Sequence, residues 1–240
     1  MSHILLTGAG FSRNWGGWLA NEVFEYLLGC SEITPVIRME LWKARNAGSG
    51  FEGTLDSLRE LYATYKDVRH ETELRTYESM LRGMFSTMNS SYTNVSFEPG
   101  RDPARMGPQP AFIRDFLCRF DKIFTLNQDT LLEQHYKDSD LREGSHGRWL
   151  AFQTPGIQEV TFGGKVYAEP GAYSPASAPF ALTERSQPYF KLHGSSNWRT
   201  DKEPSLLIMG GNKSANIATS ELLSWYDQQF PRHSLLRTRD

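Results

Sequence analysis

The feature that most constrains this chain is its first apolar segment, which ends in a glycine-rich turn. Residues 4–6 are Ile-Leu-Leu, residues 7–12 are Thr-Gly-Ala-Gly-Phe-Ser, and a helical apolar pattern follows over about residues 18–28. A strand, a tight turn and a helix in this order point several backbone N–H groups at one place, where the helix dipole also favours negative charge. The segment therefore predicts an α/β protein with an anion site, typically for a phosphate, near its first strand.

The glycines do not by themselves identify the ligand. Gly8 and Gly10 form G-x-G, but Arg13 stands where a dinucleotide-binding fingerprint has its third glycine. An ordinary dehydrogenase-type site is therefore not predicted. A turn that needs glycine only for its own backbone remains the alternative interpretation.

Composition excludes several classes of protein. The chain has 240 residues, enough for a sizeable core, and a net charge of −2, which gives no indication of nonspecific nucleic-acid binding. Its two cysteines provide neither a disulfide framework nor a four-cysteine zinc site. No apolar run has the length of a signal sequence or a membrane span, so we expect a cytoplasmic protein without membrane contact.

Two further apolar segments, like the first, end in polar residues. Residues 122–126 lead to Asn127 and Asp129, and residues 188–192 lead to His193. Open α/β sheets bind ligands at the carboxyl ends of their strands, so we expect these side chains to lie near the glycine turn. The structural alternative is a helix cap at the Asn-Gln-Asp turn and a histidine that serves only packing.

The remaining pattern predicts a Rossmann-like, mostly parallel sheet with helices on both faces, in one domain over residues 1–240. Helical spacing predicts a helical insert over residues 36–90, in which Tyr65 faces inward, with a bend at residues 67–73. A loop is expected over residues 89–110 because Ser, Asn, Gly and Pro are frequent there. A helix is expected over 109–120, with Phe116 facing inward. The other expected elements are an irregular insert over 137–188 with a hairpin at Gly163-Gly164, a strand over 206–209 and a final helix over 221–230.

The three turns resemble, in the same order along the chain, three motifs of the sirtuin family. Residues 7–12 resemble its G-A-G-x-S turn, residues 125–129 its T-Q-N-I-D motif and residues 191–195 its L-H-G motif. The resemblance is to the sirtuin-like domains of bacterial antiphage defence systems in particular. In these, G-A-G-F-S is followed by G-G-x-L-A, as at residues 16–20, and K-L-H-G-S-x-x-W occurs, as at residues 191–198. The resemblance covers roughly residues 4–230, and the inserts match poorly.

Two departures from sirtuin deacylases bear on the expected reaction. The four-cysteine zinc module of the deacylases is missing, so we expect no zinc, and residues 17–21 replace their G-I-P-D-F-R segment. The resemblance therefore implies hydrolysis of the nicotinamide–ribose bond of NAD to nicotinamide and ADP-ribose, as the effector of antiphage defence by NAD depletion. Alternatives are a non-catalytic NAD- or ADP-ribose-binding regulatory or assembly module, and an NAD-dependent deacylase or ADP-ribosyltransferase.

The resemblance assigns roles that suit the chemistry of the side chains. Asn127 and His193 are the predicted catalytic residues: the amide orients water or a ribose hydroxyl, and the imidazole acts as general base. Asp129 accepts a hydrogen bond from the leaving carboxamide or stabilises positive charge. NAD is the substrate, and the residues predicted to bind it are Gly8, Ala9, Gly10, Phe11, Ser12, Asn127, Asp129 and His193.

Partners and a last strand are also implied. A freely active NADase would harm its host, so we expect gating by homo-oligomerisation or by an activating ATPase, an Argonaute-like protein or a phage protein. Sirtuin-like domains finish with a further strand and a glycine–serine turn, which should begin just where this sequence stops, at Asp240. The chain is a fragment, or that strand is supplied otherwise, or the sheet is incomplete. Gly210-Gly211 is a weak substitute for the turn.

Overall fold

The computed structural model describes residues 2–94, 112–137, 141–159, 161–162, 165–166, 173–199 and 206–231. The chain forms two compact units. The sheet unit comprises Met1–Gly8, Asn94–Leu207 and Ala215–Asp240, and the helical unit comprises Ala9–Thr93 and Ile208–Ser214. The predicted helical insert at residues 36–90 lies within the helical unit, which begins earlier, at Ala9.

The strands all belong to the sheet unit. They are β1 (Ile4–Thr7), β2 (Lys122–Thr125), β3 (Ala151–Gln153), β4 (Ile157–Glu159), β5 (Thr161–Phe162), β6 (Lys165–Val166), β7 (Tyr173–Pro175) and β8 (Ser186–Lys191). Four of them form a parallel sheet in the order β1-β2-β8-β3, whereas β4 with β7 and β5 with β6 form antiparallel pairs. The β5–β6 pair fits the predicted hairpin, whose two glycines lie outside the described residues.

Helices make up most of the remaining described structure. They are α1 (Ala9–Arg13), α2 (Ala20–Leu28), α3 (Pro35–Asn46), α4 (Gly50–Tyr65), α5 (Val68–Ser91), α6 (Phe112–Leu117), α7 (Leu131–His135), α8 (Leu141–Gly144), α9 (Lys213–Ala218) and α10 (Glu221–Gln229), with a 3-10 turn at Tyr92–Asn94. No helix within the described ranges is long and apolar enough to cross a membrane.

The sheet buries aromatic side chains on one face against α10. Phe124 of β2 and Phe190 of β8 are register partners, so their side chains project from the same face of the sheet. Their rings stack there with centroids 4.8 Å apart. Phe190 also packs edge-on against Tyr226 of α10, at 5.0 Å. This face of the sheet is therefore closed by the last helix.

The opposite face of the sheet carries Tyr189 and Phe152, whose ring centroids are 5.0 Å apart. Phe152 meets the ring of Tyr136, at the end of α7, at 5.2 Å. A parallel sheet flanked by helices is the arrangement that the sequence predicts, and the Rossmann-like α/β class is confirmed.

Helix boundaries in the helical unit follow from capping residues. The Thr34 hydroxyl accepts from the N–H of Ile37 at 3.1 Å and starts α3, and the Asp67 carboxylate accepts from the N–H of His70 at 2.9 Å and starts α5. Lys66 has a left-handed φ of 50° and ends α4, so the break lies one residue before the predicted bend. The fully buried side chains of this unit include Leu27, Ile37, Leu41, Leu55, Leu58, Tyr77 and Leu81.

Three predictions about backbone structure are wrong. Residues 89–94 are not the start of a loop, because α5 runs to Ser91 and a 3-10 turn follows, in which Tyr92 is completely buried; the rest of the expected loop lies outside the described residues. The strand expected over 206–209 does not form, since only Leu207 makes a bridge, to Gly194. The 137–188 segment is less irregular than expected, because β3 joins the main sheet and β7 pairs with β4.

Two side chains expected to face inward are exposed instead. Tyr65 is 60% exposed and stacks on the ring of His70, which lies just past the break between α4 and α5. Phe116 is 41% exposed and packs against Phe120 at the end of the same segment. In both cases the helix ends within a turn, and neighbouring aromatic rings cover each other at the surface.

Candidate functional site

Three neighbouring strands deliver polar residues to one edge of the parallel sheet. Thr7 of β1 lies beside Thr125 of β2, and Thr125 lies beside Lys191 of β8. Backbone hydrogen bonds continue past the strands, from the N–H of residue 126 to the carbonyl of Thr7 and from the N–H of residue 192 to that of Thr125. Gly8, Asn127, Asp129 and His193 follow these carboxyl ends, so the structure brings the predicted residues of the sheet unit to the same edge.

Asn127 is held in a fixed orientation. Its backbone N–H donates to the Thr125 hydroxyl at 3.0 Å, and its side-chain Nδ2 donates to the carbonyl of Gly8 at 3.0 Å. The Thr7 hydroxyl in turn donates to the Thr125 hydroxyl at 2.9 Å. The half-buried Asn127 amide therefore ties the turn after β2 to the end of β1, a link that the sequence pattern did not predict.

Asp129 is buried, only 7% exposed, in the turn just before α7. Its Oδ1 accepts from the backbone N–H of Leu131 at 3.1 Å, at the first residue of α7. This local bond closes a turn before the helix, whereas the N-cap of α7 is Thr130, so the helix-cap alternative is not what the structure shows at Asp129.

His193 lies half-buried on a tight turn after β8. The turn is closed by the N–H of Gly194, which donates to the carbonyl of Lys191 at 3.1 Å. Gly194 has a φ of +73°, and a Cβ there would lie 2.1 Å from the carbonyl oxygen of Leu206, so only glycine fits. The N–H of Ser196 donates to the carbonyl of Gln128 at 2.9 Å and joins this turn to the one after β2.

A buried ion pair lies beneath the strand ends, and the sequence pattern did not predict it. The side chain of Lys191 is fully buried; its Nζ donates to the carbonyl of Asp129 and to Oε1 of Glu133, the latter at 2.6 Å. Burial raises the pKa of Glu133, and the nearby Lys191 ammonium opposes that rise. The available signal was a lysine at the end of an otherwise apolar strand.

The glycine turn differs in form from the prediction. The sequence predicts a turn followed by a helix from about residue 18. In the structure a short helix, α1, begins directly after Gly8 and ends at Arg13, and the expected helix is α2, which begins at Ala20. Neither Gly8 nor Gly10 has a left-handed φ, and a Cβ at either would meet no atom of the described residues within 4 Å. The packing of the described residues does not require glycine at either position. Without a side chain, the backbone at both positions can be approached closely by another molecule.

Gly17, by contrast, is needed for packing within the helical unit. A Cβ there would lie 2.6 Å from the Cβ of Ser12, and its N–H donates to the Ser12 carbonyl at 2.9 Å. The side chain of Ser12 is therefore buried under the Gly16-Gly17 segment, at 2% exposure. The close approach to Ser12 explains why glycine is needed at position 17.

The Gly210-Gly211 turn binds a carboxylate of its own unit. Gly210 has a φ of +101°, and the N–H of Gly211 donates to Asp56. Because Asp56 takes this N–H, the turn does not present it to a ligand, and the suggested substitute for a final glycine turn loses its support.

Metal-binding side chains do not cluster in the described parts of the chain. No group of three or more His, Cys, Asp or Glu residues there is placed to hold a metal ion. Cys30 is half-buried and Cys118 is buried, both as free thiols, and burial raises the pKa of each.

A scan against protein-family models finds no matching family, and a search of curated proteins finds no match. Any assignment of function therefore rests on the residues at the strand ends and on the chemistry that they can perform.

Proposed function

We propose that this protein hydrolyses NAD at the nicotinamide–ribose bond and releases nicotinamide and ADP-ribose. The observation that carries the proposal is the convergence of Gly8, Asn127 and His193 at the carboxyl ends of three adjacent parallel strands. Open α/β sheets bind nucleotides at this edge. The order of the three turns along the chain also resembles that of the sirtuin motifs.

Asn127 and His193 are proposed to handle the water and the ribose. The bond breaks through a centre with oxocarbenium character, and nicotinamide leaves as a neutral group. Because Nδ2 of Asn127 is held by the Gly8 carbonyl, the amide has a set orientation, in which Oδ1 accepts from water or a ribose hydroxyl. His193 takes the proton, since an imidazole titrates near neutral pH.

Asp129 is proposed to act through its charge. Its carboxylate is almost out of water and accepts from the N–H of Leu131, and we infer that it stabilises positive charge that develops on the ribose. The predicted diphosphate contacts of Ala9, Gly10 and Phe11 rest on the sirtuin resemblance, and the side chain of Ser12, 2% exposed, is not available for such a contact.

The biological setting proposed here is antiphage defence by NAD depletion in the cytoplasm. An enzyme of this kind must stay inactive until infection, so activity would depend on homo-oligomerisation or on an ATPase, an Argonaute-like protein or a phage protein. This part of the proposal rests on the resemblance to sirtuin-like defence domains.

The experiment is to incubate the protein with NAD, with and without candidate activators, and to separate the products by liquid chromatography. We expect equal amounts of nicotinamide and ADP-ribose without any acylated peptide. Saturable NAD binding without product under every activator would instead indicate a regulatory module. Nicotinamide release that requires an acylated peptide would indicate a deacylase.

A further inference from the structure

A buried hydroxyl lies beneath the Asn-Gln-Asp turn, at the last residue of β2. Thr125 is 1% exposed, and its Oγ1 accepts from the backbone N–H of Asn127 at 3.0 Å and from the hydroxyl of Thr7 at 2.9 Å. A hydroxyl oxygen has two lone pairs, so both are in use. This oxygen is therefore tied to the ends of both β1 and β2.

The same hydroxyl also bonds to a tyrosine of the neighbouring strand. Burial raises the pKa of Tyr189 well above its ordinary value, and a hydrogen bond with Thr125 opposes this rise. Because both lone pairs of the Thr125 oxygen are occupied, its own proton is the one that the Tyr189 oxygen accepts. Groups on β1, on β8 and in the turn after β2 together fix the rotamer of Thr125.

These bonds form a closed ring that includes the Asn127 amide. The backbone N–H of Asn127 donates to Thr125, and its side-chain Nδ2 donates to the carbonyl of Gly8 at 3.0 Å. Gly8 follows Thr7, whose hydroxyl donates to Thr125 and closes the ring. Two links of the ring meet at Oγ1 of Thr125, so loss of that atom opens it.

Loss of this oxygen would act on the turn rather than on the sheet. Thr125 and Thr7, 6% exposed, lie out of water, so a methyl group in place of the hydroxyl leaves the Asn127 N–H without this acceptor. The backbone bonds between β1 and β2 do not involve the hydroxyl; one of them runs from the N–H of Leu126 to the carbonyl of Thr7 at 3.0 Å. The orientation of Asn127 is therefore the property that depends most directly on Thr125.

We propose that Thr125 is the positioning residue of the strand-end site. Its hydroxyl holds the main chain of Asn127, so that the side-chain amide keeps its orientation toward the ligand. Thr125 acts through Asn127 and not on the substrate, because its own side chain is buried. The kinetic consequence of this role rests on the proposed NAD cleavage, whereas the positioning itself does not.

The first experiment compares Thr125→Val with Thr125→Ser in nicotinamide release from NAD by the activated full chain. Valine keeps the shape of threonine without the hydroxyl, and serine keeps the hydroxyl without the methyl group. We expect valine to lower kcat about 10–100-fold with KM changed less than about threefold, because a displaced catalytic group acts on the chemical step. Serine should keep kcat within about threefold of the wild type. A role in packing alone predicts the reverse order, since valine preserves the buried volume better.

The second experiment tests the positioning without turnover, by NMR measurement of hydrogen exchange at the Asn127 backbone N–H in the isotope-labelled full chain. Exchange should be at least about tenfold faster in Thr125→Val, the scale of one lost hydrogen bond, and unchanged in Thr125→Ser. If Thr125→Val fails to fold, Thr125→Ala takes its place, because it differs from Thr125→Ser by the hydroxyl alone.

The matched control is Thr54→Val in the helical unit. Thr54 is also completely buried, and its hydroxyl donates to the carbonyl of Gly50 at 3.4 Å. This variant removes a buried threonine hydroxyl away from the strand ends, so kcat and the exchange rate at Asn127 should both keep their wild-type values.

Two results would overturn the inference. One is exchange at Asn127 that is equal in Thr125→Val and the wild type. The other is a kcat for Thr125→Val at or above that of Thr125→Ser. A wild-type chain that releases no nicotinamide under any activator would instead contradict the proposed function, and the exchange rates would still decide whether Thr125 positions Asn127.

Discussion

Replacing Lys191 by methionine should destabilise the protein by about 3–5 kcal/mol near neutral pH, the usual cost of removing one partner of a buried ion pair. The Lys191 side chain is fully buried and the Glu133 side chain is 12% exposed, so the remaining carboxylate cannot regain water. A methionine side chain fills a similar volume, but it carries no N–H donor and so replaces neither of the hydrogen bonds that Nζ makes.

Two losses make up this magnitude. The carboxyl group of Glu133 loses its counter-ion, and the carbonyl of Asp129 loses the donor it has in Lys191 Nζ. An unpaired buried carbonyl alone costs about 1–3 kcal/mol, and the loss of the ion pair at Glu133 accounts for the rest. The better burial of an apolar side chain offsets a small part of the total.

The deficit should depend on pH, with a definite sign. Burial raises the pKa of Glu133 in the folded protein above its ordinary value of 4.5. A carboxyl whose pKa is raised on folding contributes stability below its unfolded pKa and loses it as the pH rises through the folded pKa. Without Lys191 the folded pKa rises further, so Lys191→Met should cost less at about pH 5 than at about pH 8.

Urea unfolding followed by circular dichroism at both pH values measures the effect. A second substitution, Glu133→Leu, should recover part of the loss, because it removes the charge that Lys191 balanced. The control is Arg75→Met, which removes a guanidinium that is 73% exposed and lies 2.6 Å from Glu71, itself 35% exposed, and which should cost less than about 1 kcal/mol. A Lys191→Met cost below about 1 kcal/mol, or equal costs at both pH values, would refute the reasoning.

Two further predictions concern stability and thiol reactivity. Gly194→Ala should cost more than about 3 kcal/mol in urea unfolding, because its Cβ would overlap the Leu206 carbonyl oxygen. The control Gly147→Ala, with a φ of +79° and open space around the Cβ, should cost about 1–2 kcal/mol. Equal costs for the two variants would contradict the close approach at Gly194. Alkylation of the native protein near pH 8 should label the half-buried Cys30 before the buried Cys118, whose labelling should require unfolding; rapid native labelling of Cys118 would contradict its burial.

The sequence predicted the strand ends well because the signal is local. The apolar runs that became β1, β2 and β8 each end at a change to polar or glycine residues, and the parallel pairing follows from the helical segments between them. The segment at 206–209 has the same apolar content but forms no strand. Leu206 is buried without forming a strand, and its backbone carbonyl comes close to Gly194, which apolar content alone does not reveal.

The sequence pattern could not predict contacts between distant segments of the chain. The Lys191–Glu133 pair joins residues 58 positions apart, and the link from Asn127 to Gly8 joins residues 119 positions apart. Strand β3 is three residues long and starts at an exposed alanine, so it carries too little periodicity to be recognised. Each of these features depends on which strands become neighbours.

The measurement that tests the central claim most directly is the rate of nicotinamide release from NAD by the activated protein and its His193→Ala and Asn127→Ala variants. We predict that each variant loses about 10²–10⁴ in rate, the scale of a general base or an oriented polar contact. Matched controls at exposed positions, His3→Ala and Asn212→Ala, should keep the wild-type rate. Undiminished release by either site variant would contradict the assignment of Asn127 and His193 as the catalytic residues.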